Sequence, residues 1–282
     1  MPIDARNLEF DLNDSVASHW SPRHAEFSHV CNGFMALLPY LEPYFIHNLR
    51  TALEVVADPQ LKTDAEGFIK QEARHAQQHR VWNQVLARRY PGFEAFESAL
   101  KQKLSESKRR DSLAKRLAYT AGFEAITYQV VCFVVASRDT WLRDADPNVI
   151  AMLVWHAAEE VEHKSVAFDV YKAVHGSYWL RLWGLGSALL NTVRDLRAIA
   201  QHMLRADGLW ADPACRRRYL KIRIALAKAV IPPLWQYLMP WYEPRAHVDP
   251  PLIGAWLAEY RNGRDLSALD FDALDSLGRR AQ

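Results

Sequence analysis

The sequence predicts an all-α protein, a four-helix bundle extended by additional helices toward the C-terminus. Three observations carry that prediction. Glycine is scarce, at 11 of 282 residues. No strand-like alternation runs for any length, and long stretches repeat apolar residues at three- and four-residue spacing, the helical period. Proline and aspartate fall between those stretches as punctuation.

The elements follow in chain order. Pro39 and Pro43 flank Glu42, so a first regular helix is expected to begin there and to run to about residue 57. Asp58-Pro59 reads as an N-cap followed by proline in the first turn, opening a helix that ends near Tyr90, where Pro91-Gly92 stops it. A shorter helix from Phe93 meets a break near Arg110-Asp111, and a long helix then continues to about Asp139. Asp146-Pro147 repeats the cap-and-proline signal, and Gly176 stands where a C-terminal cap belongs. These bound one helix of about eight turns.

After Gly176 the character changes. Stretches 178–204 and 218–241 are rich in Trp, Leu and Ile, yet Arg181, Arg194, Asp195, Arg197, Lys221, Arg223 and Lys228 interrupt them. No window of about eighteen residues is free of charge, so neither reads as a membrane span. They are expected to pack on the bundle; the alternative is a basic, aromatic surface touching a membrane or lining a lipophilic entrance. The organisation expected is an N-terminal arm over 1–20, a helical metal-binding domain over 21–245 and a helical tail over 246–282.

Composition narrows the function classes. Half the chain is hydrophobic, 24% is charged, and the formal net charge is +2. The basic clusters Lys108-Arg109-Arg110 and Arg216-Arg217-Arg218 lack interleaved aromatics, so no nucleic-acid partner is expected. Cys31, Cys132 and Cys215 lie far apart, which argues against a disulfide framework and against a cysteine zinc site. The first residues are polar and acidic, unlike a secretory signal. A cytoplasmic location is the expectation, with peripheral contact at the inner membrane face left open, as is a homodimer.

The chemistry lies in an ordered set of carboxylates and imidazoles. Glu72 with His75, and Glu160 with His163, form Glu-x-x-His pairs on separate helices. Residues three apart share a helix face, so each pair aims one carboxylate and one imidazole at a common point. Glu42 precedes the first pair and Glu124 the second, each by enough chain for a helix, a turn and an antiparallel return. Two such hairpins facing each other bring Glu42, Glu72, His75, Glu124, Glu160 and His163 to the bundle centre, the arrangement that holds two carboxylate-bridged metal ions. A third pair, Glu26 with His29, lies upstream of any clear helix and has no preceding partner, so it is set aside as coincidence. His156, one turn before Glu160, is a further metal ligand or a supporting histidine. His79 reads as a supporting residue behind the ligands, and Tyr128 as one that hydrogen-bonds a ligand carboxylate or simply packs. Glu159 and Glu162 read as flanking residues, solvated or paired with lysine. Mixed carboxylate and imidazole donors suit two iron ions, with manganese or zinc as alternatives.

At these residues the chain resembles the bacterial family described as predicted metal-dependent hydrolases, which belongs with the ferritin-like helical proteins. The likeness rests on Leu38-Pro39-Tyr40-Leu41-Glu42-Pro43-Tyr44-Phe45, Gln71-Glu72-Ala73-Arg74-His75, Phe123-Glu124-Ala125 and stretch 156–171, HAAEEVEHKSVAFDVY, and it spans roughly residues 20–245. Leu41 stands where the family commonly has glycine. The His156, Glu160, His163 triplet is also similar to the ligand pattern of di-iron arylamine N-oxygenases. That second resemblance implies dioxygen activation and oxidation of a small lipophilic substrate, with an electron donor the sequence does not name. The hydrolase description implies attack by a metal-bound hydroxide on an ester or amide. The sequence reading favours oxidation, with hydrolysis as the alternative. A non-catalytic iron-binding or membrane-associated helical protein is the reading from a different class.

Overall fold

The computed structural model describes residues 3–280, and among them there is no β-strand. The helices are α1 (Ala25–Met35), α2 (Leu38–Leu53), α3 (Pro59–Arg89), α4 (Phe93–Arg110), α5 (Leu113–Ala136), α6 (Arg138–Trp141), α7 (Pro147–His163), α8 (Val166–Val174), α9 (Tyr178–Ala206), α10 (Pro213–Tyr237), α11 (Pro251–Arg261) and α12 (Phe271–Arg280). The fold is all-α.

Local chemistry explains the boundaries of the helices that carry the candidate ligands. Asp58 caps α3 by accepting from the backbone N–H groups of Gln60 and Leu61, and Asp146 caps α7 in the same way through Asn148 and Val149. Each satisfies amides that the first helical turn leaves unbonded. Gly92 adopts φ 86° at the α3–α4 turn, a left-handed conformation that favours glycine.

Three expectations are corrected, the first being that Glu26 and His29, read as upstream of any clear helix, both lie in α1. Helix α2 starts at Leu38, ahead of Glu42, with Pro39 in its first turn and Pro43 inside it. Pro43 sits early enough to cost a single backbone bond, and the guanidinium of Arg80 lies 3.5 Å from the carbonyl of Pro39 that this bond would have used. The long helix expected between residues 147 and 176 is two helices, broken at Lys164 and Ser165. No glycine or proline marks this break. The Lys164 ammonium reaches the His247 carbonyl at 3.0 Å and the Asp249 carboxylate at 2.5 Å, both supplied by the chain after α10.

Helices α2 and α3 form one hairpin, α5 and α7 the other, and the two face each other. Helix α9 lies along the outer side of α5 at very short range. A Cβ added at Gly184 would stand 2.1 Å from the Ala118 carbonyl oxygen, and one at Gly122 would stand 2.6 Å from the Leu185 nitrogen. Only glycine permits this approach, which backs the part of α5 that carries Glu124. Helix α5 is long and apolar enough to cross a membrane by length and composition, but 83% of its apolar window is buried inside the protein.

The ends of the chain close over the bundle. Phe10, Leu12 and Val16 of the N-terminal stretch join the core. Trp256 and Tyr260 of α11 stack with ring centroids 5.7 Å apart, and the Arg6 guanidinium lies against both rings.

Candidate metal centre

The four facing helices converge on a group of side chains that water does not reach. Glu42, Glu72, His75, His79, Glu124, His156, Glu159, Glu160 and His163 are all at most 4% exposed. Within this group, Glu72, His75, Glu160 and His163 each offer an atom within 4.8 Å of the others, and Glu42, His79 and His156 form an adjoining set by the same measure.

Distances describe a loose cage. His163 Nε2 lies 3.4 Å from Glu72 Oε1, and its Nδ1 lies 3.4 Å from Glu124 Oε2. His75 Nδ1 lies 3.6 Å from Glu72 Oε1 and 3.9 Å from Glu160 Oε1. These exceed hydrogen-bond lengths. Both oxygens of Glu42, Glu72 Oε1, Glu124 Oε2, Glu160 Oε2, His75 Nδ1 and both nitrogens of His163 have no hydrogen-bond partner. Such a concentration of unpaired buried atoms is costly in a protein interior.

The electrostatics record the same cost. Burial, reinforced by Glu72, raises the Glu124 carboxyl from 4.5 to about 7. Burial and neighbouring carboxylates push Glu42 and Glu160 well above the ordinary carboxylate range. Burial lowers His79 to about 3 and takes His156 well below the ordinary imidazole value. His75 moves upward: burial opposes this, but the facing Glu159 and Glu72 favour its cation. Divalent cations would replace the protons that otherwise neutralise the carboxylates, and neutral imidazoles offer lone pairs to metal. By donor chemistry and by its unpaired atoms, the cluster fits a metal centre.

A surrounding layer orients these groups. The backbone N–H of Arg6 donates to Glu159 Oε1 at 2.8 Å, and Glu159 Oε2 lies 3.0 Å from His75 Nε2. A carboxylate behind a ligand imidazole fixes the ring and strengthens its opposite nitrogen. The Arg6 side chain also forks onto both oxygens of Glu162 at 2.7 Å. Both glutamates thus differ from their expected roles, because arginine is the partner and Glu159 is fully buried. The signal for Glu159 was present: it lies three residues after His156 and four before His163, on the ligand stripe of α7. Nothing in the sequence pointed to Arg6, which acts across 153 positions.

His156 joins the cluster through both nitrogens. Its Nε2 lies 2.8 Å from Glu160 Oε1, and its Nδ1 lies 2.7 Å from His79 Nε2. A consistent proton assignment has His79 donating to His156 and His156 donating to Glu160. His79 is therefore part of the central group. Tyr128 is not: its hydroxyl donates to Asp249 Oδ1 at 2.9 Å, away from the ligand carboxylates. The rings of Phe68 and Trp155 meet His163 and His75 edge-on at 4.6 and 4.8 Å and wall the centre with apolar surface.

The comparison with protein families agrees with the geometry. A family model described as predicted metal-dependent hydrolase matches residues 4–248. Neither the curated proteins nor the solved structures give a match.

Proposed function

The chain belongs to the family of predicted metal-dependent hydrolases, and on that premise we propose that its central cluster binds two divalent metal ions and hydrolyses an ester or amide bond in a small, lipophilic substrate. The observation that carries this reading is the set of buried carboxylate and imidazole atoms without partners, supplied by four helices. Glu42, Glu72, Glu124 and Glu160 would hold or bridge the metals, with His75, His163 and His156 completing the donor set. Bound there, divalent ions supply Lewis acidity and make a coordinated water ionise near neutral pH. The donor set suits zinc and manganese as well as iron.

The chain's own residues perform the remaining tasks. Glu159, held by Arg6, fixes the His75 ring. His79 holds His156 at Nδ1, so that Nε2 faces Glu160. Phe68 and Trp155 exclude bulk water from one side, which strengthens the polarisation of a substrate carbonyl. An apolar cavity of about 310 Å³ lies on the other face of α5, lined by Phe27, Phe34, Ile126, Val130, Leu226 and Ile231 among others. Phe34 stacks on Phe123, the neighbour of Glu124, with centroids 5.9 Å apart. The lining shares no residue with the metal cluster, and α5 stands between the two.

Oxidation with dioxygen, the reading the sequence alone favours, keeps one supporting observation: His79 and His156 make the cluster richer in nitrogen than a minimal carboxylate-bridged site. The family description favours hydrolysis over it. The test is turnover of p-nitrophenyl esters of increasing acyl length by protein reloaded with Zn²⁺ or Mn²⁺ under nitrogen. Hydrolysis without oxygen or reductant, lost on chelation, is expected. Turnover that requires Fe²⁺, O₂ and an electron donor together would overturn the hydrolytic reading.

A further inference from the structure

A second cluster lies at the end of the bundle where the N-terminal stretch, α1, α3 and α9 meet. It shares no residue with the central site. His19 comes from the segment before α1, His29 from α1, and Asp207 from the C-terminal cap of α9. His19 Nε2 and His29 Nε2 each lie 2.6 Å from the same oxygen, Asp207 Oδ2, and 3.0 Å from one another. The hydroxyl of Tyr90, at the cap of α3, lies 3.2 Å from that oxygen. His29 is fully buried, while His19 and Asp207 reach solvent.

Hydrogen bonding cannot satisfy this triangle. Each neutral imidazole carries one proton, and Nε2 of each ring can offer at most one. If both protons point at Asp207, no proton lies between the two nitrogens, which face each other at 3.0 Å. If either ring is protonated on Nδ1 instead, its bare Nε2 faces a carboxylate oxygen at 2.6 Å. His29 Nδ1 is itself without a partner, so nothing holds a proton there. A cation among the three atoms resolves all three contacts together.

We infer that His19, His29 and Asp207 form a second metal site, for a single divalent transition-metal ion of the zinc class, with two imidazole nitrogens and one carboxylate oxygen as ligands. Such ions take ligands at about 2.0–2.1 Å, with ligand atoms about 3.3 Å apart in tetrahedral geometry. From 2.6 Å the two N···O edges must open by about 0.7 Å, and from 3.0 Å the N···N edge by about 0.3 Å. The site joins the N-terminal stretch to the middle of α1 and the C-terminal end of α9, and that same stretch delivers Arg6 to Glu159. Its role is that of a clip on the segment that orients the central His75.

The test is Zn²⁺ binding by isothermal titration and elemental analysis, on metal-free protein and on the His19→Ala and Asp207→Asn variants. His19 is partly exposed, so its replacement leaves the core intact. The unsubstituted chain is expected to take up one more Zn²⁺ than either variant, with affinity for that equivalent falling at least about tenfold in each. Zinc should also raise the Tm of the wild type more than that of either variant. An anomalous difference peak at the zinc edge, bounded by His19, His29 and Asp207, would locate the ion. Equal stoichiometry in all three proteins, with both variants losing the same Tm with and without zinc, would overturn the inference and leave a hydrogen-bonded knot only. The extra equivalent is counted as a difference, so the result stands whether or not the central cluster binds metal.

Discussion

The central cluster and the rim cluster use the same side-chain chemistry and differ in access to water. At the rim, Asp207 reaches solvent, and the hydrogen bonds from His19 and His29 outweigh its burial, holding its carboxyl below the ordinary range. At the centre, Glu42 has no partner for either oxygen, and burial drives its carboxyl the opposite way. One carboxylate stays ionised beside two imidazoles, and the other is neutralised by protons unless a cation arrives. The difference teaches that the central carboxylates need protons or a cation for their charge balance, whereas Asp207 keeps its charge beside two imidazoles.

The sharpest way to break that contrast is to remove a central ligand. Glu72→Ala is expected to abolish metal binding at the centre and to cut hydrolysis at least about 100-fold, beyond the loss that surrounding partners alone cause. Metal analysis beside an ester assay checks this. Chelation comes next. Metal held at a thousand times its dissociation constant contributes about 4 kcal/mol, so its removal is expected to lower Tm by roughly 10 °C in a calorimetric scan.

The third test acts on the arm. Arg6→Ala leaves Glu159 buried without its guanidinium and is expected to cost roughly 3 kcal/mol in denaturant unfolding. Glu159→Gln in the same chain should recover part of that loss, because the unpaired charge is then gone.

A pH series sharpens the comparison further. Glu124, Glu42, Glu160 and His75 all have folded values raised above their ordinary ones, so the stability they provide is present at low pH and lost as pH rises through those values. His79 and His156 act in the opposite direction, but only below 6.5, where the unfolded imidazoles take up protons. Above 6.5 the carboxylates and His75 alone decide. Metal-free protein is therefore expected to lose stability as pH rises through about 7, and metal-loaded protein to lose much less. Thermal scans with and without metal read the difference. The smallest effect belongs to Tyr128→Phe, expected to cost about 1 kcal/mol or less and to leave metal content unchanged, because its hydroxyl serves Asp249.

Much of this architecture was legible in residue order. The caps Asp58 and Asp146 and the Pro91-Gly92 stop act through bonds to near neighbours, so sequence reads them directly. The ordered glutamates and Glu-x-x-His pairs were legible for the same reason, since helical spacing fixes which residues share a face. The features that escaped depend on distant chain. The break after His163 answers to His247 and Asp249, and Glu159 to Arg6. The Glu26–His29 pair, dismissed as coincidence, holds a histidine whose partners are His19 and Asp207, while Glu26 itself bonds Arg218.

The measurement closest to the central claim is the metal content of protein purified without chelator, compared with a chelated sample reloaded under nitrogen. Two divalent ions per chain at the centre, restored on reloading together with ester hydrolysis, is the predicted result. A chain that binds no metal at Glu72, His75, Glu160 and His163, and is equally stable after chelation, would contradict it.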